Sequence, residues 1–419
     1  MAQRHVAVVG GGVMGSFAAY WLKVLGGNGV RVTLVERDQL FCTTSAVLSA
    51  GGFRQQFSLK ENISLSLASV DFFKNKLHTL NVDPDDEPPS IGLAENGYVF
   101  MAGTEEGKQT LQRNNELQRS LGADIKLLTA EEMKQTMPYL EVDDIKLGAR
   151  GTQNEGYFDP YLLLQLVRRK VQSQGTTCIS ADTIGINMSS DKKTVESLSV
   201  IGNDGEQEIR CDAVVNAAGA WSGRLAKMAG IDLPVEPRPR TIYAVDCKEM
   251  GQYFQGSKHC PLTVDPSGVY FRGDVGSPTR FLCGKSPLAE EDTELVGRCV
   301  NEIRAQLDSY PCQNYFETNI WPVLAARAPH FETLKVQSSW SGCYDYNTWD
   351  QNGIVGPHPE VSNMFFCTGF SGHGLQMSPA SGRAVAETVL EGKFVEVDLE
   401  KFKYDRFLEG EKVLERNIV

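Results

Sequence analysis

The chain reads as an α/β protein, α+β overall: a Rossmann-like nucleotide-binding domain joined to a second domain built on a mostly antiparallel β-sheet. Three observations predict this. An apolar strand, a glycine-rich turn and a helix open the sequence over residues 6–25. A second apolar segment, residues 30–36, follows at once and closes on an acid. From residue 234 to 337 the pattern changes to short β-like runs separated by Gly and Pro turns. The first two mark a βαβ unit and the third an antiparallel sheet. At 419 residues, two domains are the natural expectation.

Each element has its own reason. Residues 6–9 are continuously apolar and bounded by Gly10, as a strand buried on both faces should be. Residues 12–25 read as a helix that ends at Gly26 and Gly27. Residues 30–36, around Val32, Leu34 and Val35, read as the second parallel strand. Residues 83–89 hold three prolines and four acids and read as a surface loop where the chain crosses between domains. Thr129 and Glu132 form a capping-box pattern for a short helix stopped by Pro138. Asp159 and Pro160 are an N-cap and first-turn pair opening a helix that ends at Gly175. Leu162, Leu163, Leu166, Val167 and Val171 are its expected packing face. Residues 268–272 and 280–283 are strands of the second sheet, and a last helix covers about 379–390. The nucleotide-binding domain is therefore expected to be discontinuous, over 1–85, 146–233 and 338–419, with 86–145 and 234–337 forming the second domain.

The strongest chemical signal is the turn Gly10-Gly11-Gly12-Val13-Met14-Gly15. A lone G-x-G-x-x-G is weak, but this one follows an apolar strand and opens a helix. Glu36 closes the next strand 21 residues after Gly15, where ribose hydroxyls need a carboxylate. Gly10 permits the tight turn, Gly12 lets backbone approach a pyrophosphate, and Gly15 allows close helix–strand packing. The helix N-terminus adds its positive dipole. The competing reading, a glycine-rich turn in a fold that binds no nucleotide, lacks a reason for the acid.

Two later segments bear on which dinucleotide is bound. Residues 211–222 form an apolar strand ending in small residues, with Ala218, Gly219 and then Trp221. Small residues there let backbone lie close to a flat ligand or simply make a tight strand–helix turn; both readings stay open. Gly369, Gly372 and Gly374 fall within six residues beside His373, followed by Leu375 and Gln376, just ahead of the last helix. Such a loop can present N–H groups to the electron-rich edge of a flavin, or be an ordinary capped helix start. The three glycines beside a histidine favour the first.

Composition excludes other classes. A net charge of −12 with no basic cluster argues against nucleic-acid binding. No apolar run approaches the roughly 20 residues of a membrane span. The ten cysteines, including Cys312, contain no C-x-x-C pair, so zinc and thioredoxin-like chemistry find no support and reduced thiols are expected. No presequence is visible ahead of the first strand.

The glycine segments together resemble the D-amino-acid oxidase-like flavoproteins, which include monomeric sarcosine oxidase and glycine oxidase. The resemblance runs over nearly the whole chain, with specific stretches at residues 48–58, 156–160, 331–338, 344–348, 351–359 and 369–376. It implies FAD laid across the Rossmann-like domain with its ring facing the antiparallel sheet. Glu36, with Arg37 beside it, would hold the adenosine ribose, and Thr43, Thr44 and Ser45 would lie near the pyrophosphate. Gly51, Gly52 and residues 369–376 would border the ring. In sarcosine-oxidase relatives a cysteine carries the flavin covalently, and Cys343 stands at the matching position; its other reading is a small buried thiol.

Departures from the family matter as much. Its amine-oxidising members anchor a substrate carboxylate with basic residues; the position in the last glycine segment is here the uncharged Gln376. Arg54 is present in the first loop, but Gln55 and Gln56 follow it. The lysine tied to oxygen activation aligns with Leu282, between Arg280 and Lys285. A dehydrogenase-like enzyme rather than a fast oxidase is implied. Arg272 could supply the missing anchor or be an ordinary strand-end arginine. Tyr243, Tyr270 and Tyr346 could wall the pocket or simply pack. His373 could serve as an electrostatic or proton-relay group or be held by backbone.

The likeness extends to a mitochondrial member of the family associated with assembly of respiratory complex I. It implies mitochondrial residence and complex I subunits as partners, beside a small amine or N-substituted amino acid as substrate. No metal is implied. Two functions are thus carried forward: an FAD-dependent oxidoreductase, and a flavin-stabilised assembly factor.

Overall fold

The structure, a computed structural model, describes residues 3–83, 85–255, 260–311 and 314–417. Cys312 lies outside them; the other nine cysteines are free thiols.

Arg4–Val9 is the centre of an eight-stranded sheet. It pairs in parallel with Val30–Glu36 on one side and Ala213–Asn216 on the other. Thr177–Met188 and Met364–Thr368 extend the parallel core. Val195–Gly202 and Gly205–Arg210 at one edge, and Ile354–Pro357 at the other, run antiparallel. The central strand is continuously apolar because both faces are packed, one by helices and the other largely by strand residues such as Ile186, Leu198 and Val200 with Leu225, and Val6, Ala7 and Val8 are fully buried.

The helix Val13–Gly26 returns along that sheet. A Cβ on Gly15 would come within 1.9 Å of the Gly10 carbonyl, so only glycine lets the helix start this close to the strand. Beside it lies the helix Gly374–Glu391, which starts five residues earlier than expected and contains Pro379. Proline cannot donate to the Leu375 carbonyl; the Ser378 hydroxyl does so instead, at 2.8 Å. A serine thus repairs the break that the proline signals.

The helix Pro160–Ser173 is capped by Asp159, whose carboxylate accepts from the N–H groups of Tyr161 and Leu162. Its buried face is Leu163, Leu164, Val167, Arg168 and Val171, whereas Leu162 is exposed. The 3.6-residue period places Leu164 and Arg168 on that face and turns Leu162 outward. Thr129 and Glu132 form a complete capping box on Ala130–Thr136.

The second sheet has eight strands, in the order Lys335–Asn347, Val235–Asp246, Ser277–Gly284, Tyr270–Asp274, Leu262–Val264, Tyr98–Ala102, Leu147–Gly151 and Ile125–Leu128. All neighbours are antiparallel except Leu262–Val264 with Tyr98–Ala102. Leu147–Gly151 and the whole of Lys335–Asn347 pair here, so the boundaries expected at 146 and 338 do not follow the sheets. Local pattern marks a strand but not its partner. A short ribbon, Gly52–Phe53 with Gly156–Tyr157, completes the β structure. Helices also interrupt the expected β region, at Val300–Asp308 and Trp321–Arg327. Among the described residues no helix is long and apolar enough to cross a membrane.

Candidate dinucleotide and substrate site

The first strand ends at Val9 and the helix begins at Val13, with Gly12 as N-cap and no side chain capping the first turn. Its leading N–H groups are therefore free to meet an anion. A Cβ on Gly12 would find only Thr44 Cγ2, at 3.6 Å, so this glycine faces open space.

Glu36 turns back onto the same turn. Its Oε2 accepts the Gly11 N–H at 2.6 Å and its Oε1 the Asp38 N–H at 2.7 Å. Burial lifts its pKa above the usual carboxylate value, against these two bonds. Asp38 Oδ2 accepts from both the N–H and the hydroxyl of Thr43, each at 2.8 Å, and so folds the loop carrying Thr43, Thr44 and Ser45 over the turn. Arg168 closes the other side, donating to the Gly11 carbonyl at 3.4 Å with its guanidinium 5.0 Å over the Phe41 ring. Sequence reading missed Asp38 and Arg168. Asp38 carried a faint signal, an acid five residues ahead of a threonine; Arg168 carried none.

These groups border a cleft of about 640 Å3. Of the candidate cofactor residues it is lined by Gly10, Gly12, Val13, Met14, Glu36, Arg37, Thr43, Thr44, Ser45, Ala218, Gly219, Trp221, Gly372, Gly374 and Leu375. The Arg37 guanidinium lies 4.4 Å over the Trp221 ring, and Arg37 Nη2 and Trp221 Nε1 are buried donors without a partner. Orphaned donors, an uncapped helix start and an open glycine all fit a phosphate-bearing dinucleotide.

A second cavity of about 100 Å3 adjoins the cleft and shares Ser45, Ser49, Tyr344, Gly372 and Leu375 with it. Gly51, Gly52, Tyr270, Cys343, His373 and Gln376 line it, as do Arg54, Tyr98 and Arg240. The glycine loop at its rim is held by Asp345, which no sequence signal singled out. Asp345 Oδ2 accepts the N–H groups of Gly369 and Phe370 at 2.7 and 3.1 Å. Burial nevertheless pushes this carboxyl up to about 6. Gly369 lines neither cavity, nor does Gly15; the first serves this loop and the second the helix packing.

The candidate catalytic side chains separate. Tyr270, His373 and Gln376 reach the small cavity. Gln376 Oε1 accepts the Arg54 N–H at 2.5 Å, and its Nε2 is left without a partner. Both His373 nitrogens are likewise unpartnered. Burial first, then the charge of Arg54, drives its pKa down to about 3, so the ring is neutral at ordinary pH. Neither backbone holds it nor is it charged; it rests 5.5 Å from the Phe57 ring.

Arg272 and Tyr346 do not line either cavity. Arg272 is buried, donates to the carbonyls of Ala50 and Gly273 at 2.7 Å each, and lies 4.4 Å over the Tyr157 ring. Its strand faces the site, but backbone carbonyls claim its donors. Tyr346 covers the guanidiniums of Arg238 and Arg240 at 5.6 and 6.0 Å. Tyr243 packs on Phe316 at 4.9 Å. Arg240, which sequence reading passed over, lines the small cavity but forms a two-pronged pair with Asp292 at 2.7 and 2.8 Å. Burial pushes the Cys343 thiol up to about 12. Among the described residues no group of three His, Cys, Asp or Glu side chains is placed to hold a metal ion.

Comparison with known proteins agrees with this geometry. A family model described as FAD dependent oxidoreductase matches residues 5–388. The Bos taurus FAD-dependent oxidoreductase domain-containing protein 1 is 43% identical over 100% of this chain and 87% of its own length. The mitochondrial sarcosine dehydrogenase of Mus musculus is 23% identical over 96% of this chain and 41% of its own length. Among solved structures, L-proline dehydrogenase from P. horikoshii has the same fold, with a TM-score of 0.77 at 24% identity, covering 98% of this chain and 100% of that one.

Proposed function

Because the chain belongs to the FAD-dependent oxidoreductases of the D-amino-acid oxidase-like family, with FAD as its cofactor, we propose that it oxidises a small amine or N-substituted amino acid. The observation that carries this reading is the small cavity opening off the cofactor cleft, walled by Tyr98, Tyr270 and Tyr344 and bordered by Arg54, His373 and Gln376. When bound, FAD supplies a hydride acceptor for the carbon next to the substrate nitrogen.

The chain's own residues bind and orient. The Gly12 and Val13 N–H groups, which unlike those of Gly10 and Gly11 are not bonded to Val35 or Glu36, meet the pyrophosphate, Glu36 the ribose, and Arg37 with Trp221 the adenosine end. The loop from Gly369 to Gly374, held by Asp345, borders the ring. Arg54 and the free Gln376 amide orient the substrate's polar end, and the tyrosines exclude water. His373, being neutral, contributes shape and a hydrogen bond rather than charge. An acceptor other than oxygen belongs to this proposal, since the apolar Leu282 stands where the family resemblance puts its oxygen-activating lysine.

A second reading is a flavin-stabilised assembly factor for respiratory complex I, resident in mitochondria. Two observations favour it: the cavity beside the ring position holds only about 100 Å3, and Arg272 is turned away to backbone carbonyls. Anaerobic mixing of the purified flavoprotein with a panel of N-methyl and secondary amino acids separates the two. Bleaching of the flavin by one of them supports the enzyme; no bleaching by any leaves the assembly role.

A further inference from the structure

Behind one wall of the small cavity lies a chain segment that no motif announces. Arg54, which lines the cavity, is only 5% exposed. Its guanidinium stacks over Phe57, Phe100 and Tyr98 at 4.1, 5.1 and 5.7 Å. Its Nη1 donates to the Gln56 carbonyl and its Nη2 to the Asn417 carbonyl, the latter at 2.6 Å. Two carbonyls, with the Tyr98 hydroxyl beside them, thus hold a cation that has five N–H donors; among the described residues no carboxylate is in ion-pair contact with it, the buried Glu155 acting on it only through space.

The Asn417 carbonyl is itself held firmly. Residues 411–417 form neither helix nor strand, so side-chain bonds rather than a backbone ladder fix their course. Glu415, 6% exposed, is the node. Its Oε1 accepts the N–H groups of Ser58 and Asn417 at 2.7 and 3.0 Å, and its Oε2 accepts Asn62 Nδ2 at 3.0 Å. Asn417 Nδ2 donates at 2.8 Å to the same Gln56 carbonyl that Arg54 uses. Upstream, the Val413 N–H reaches Asp350 Oδ2 at 3.2 Å, its carbonyl accepts from Asn352 Nδ2, and Trp349 Nε1 donates to the Glu411 carbonyl at 2.7 Å. The segment is a strap tied down at both ends, with its inner edge against the Arg54 guanidinium.

We propose that this strap is part of the substrate site: Glu415 and Asn417 are positioning residues that aim Arg54 at a carboxylate on the ligand. The inference rests on the proposed reading of the small cavity as a substrate site. A buried cation lacking an ion partner favours an anionic group in the adjoining space, and a guanidinium selects it only when its fork is held in place. Carbonyl partners fix the fork without neutralising it, which a carboxylate in their position would do.

The test is equilibrium binding to the flavin-loaded protein, read by perturbation of flavin absorbance, with propionate and its uncharged amide, propionamide, as probes. The wild type is expected to bind propionate at least about 10-fold more tightly than propionamide. Glu415→Ala and Asn417→Ala are expected to remove about that factor for propionate and leave propionamide unchanged. Asn417→Ala deletes a single side-chain bond, so it provides the reading if Glu415→Ala fails to fold. Hydrogen exchange of residues 411–417 confirms that each variant has loosened the strap. Equal wild-type affinity for the two probes overturns the proposal, as does undiminished propionate selectivity in a variant whose strap exchanges faster. No turnover is needed. Strap-dependent propionate binding in a protein that oxidises no amine would sink the proposed activity and leave this inference standing.

Discussion

Asp345 accepts the backbone N–H of Gly369 at 2.7 Å, and through that bond a strand of the second sheet holds the glycine loop that opens the helix Gly374–Glu391. The two cavities meet at this junction, where both sheets contribute lining. Burial of the Asp345 carboxyl makes the junction sensitive to pH.

Burial holds the Asp345 carboxyl at about 6, above its ordinary 3.8. Between those values the unfolded chain releases the proton while the folded protein keeps it. Stability therefore falls as pH rises through that window and levels off above it. At about 1.4 kcal/mol per unit the loss is on the order of 3 kcal/mol. Asp345→Asn cannot ionise, so melting of the cofactor-free variant should lack this component of the decline. Parallel profiles for variant and wild type would show that Asp345 titrates normally.

Gly12 and Gly15 should fail in different ways. A Cβ on Gly12 meets nothing closer than 3.6 Å, while one on Gly15 would lie 1.9 Å from the Gly10 carbonyl. Gly12→Ala is expected to melt like the wild type without cofactor yet bind FAD at least about 100-fold more weakly, because the methyl occupies the pyrophosphate's approach. Gly15→Ala is expected to be unfolded or insoluble. Normal FAD affinity in Gly12→Ala would move the phosphates elsewhere.

Glu36→Ala removes an acceptor from the Gly11 and Asp38 N–H groups and, on the proposed reading, from the ribose. Fluorescence titration with FAD should show affinity reduced roughly 10- to 100-fold, the worth of one or two hydrogen bonds to a charged group. An unchanged dissociation constant would mean that the carboxylate serves the turn alone.

Cys343 tests the mode of attachment. Its thiol, raised to about 12 by burial, is protonated at neutral pH and hence a poor nucleophile. Acid precipitation of the purified protein should leave the yellow colour in the supernatant, and Cys343→Ser should carry as much flavin as the wild type. Colour retained in the pellet, and lost with the serine variant, would establish a thioether instead.

Much of the cofactor side was legible in the sequence because its signals are local. The turn from Gly10 to Gly15 and the acid at Glu36 follow from backbone geometry within one βαβ unit, and the caps at Thr129 and Asp159 from unsatisfied helix donors. The substrate side was less so. Tyr270 and Gln376 reach the small cavity, but Arg272 and Tyr346 do not, since alternation along a strand cannot tell which carbonyls or rings will claim a side chain.

By itself the sequence determined the opening unit, the periodic faces of the helices and the presence of a second, β-rich region, all of which depend on residues a few positions apart. Only the tertiary structure decided the rest. It set the sheet to which Leu147–Gly151 and Lys335–Asn347 belong, the grip of Asp345 on the glycine loop, and the meeting of Arg54 with Asn417 across 363 residues. A buried polar group must find a partner wherever the fold brings one, and no spacing along the chain encodes which it will be.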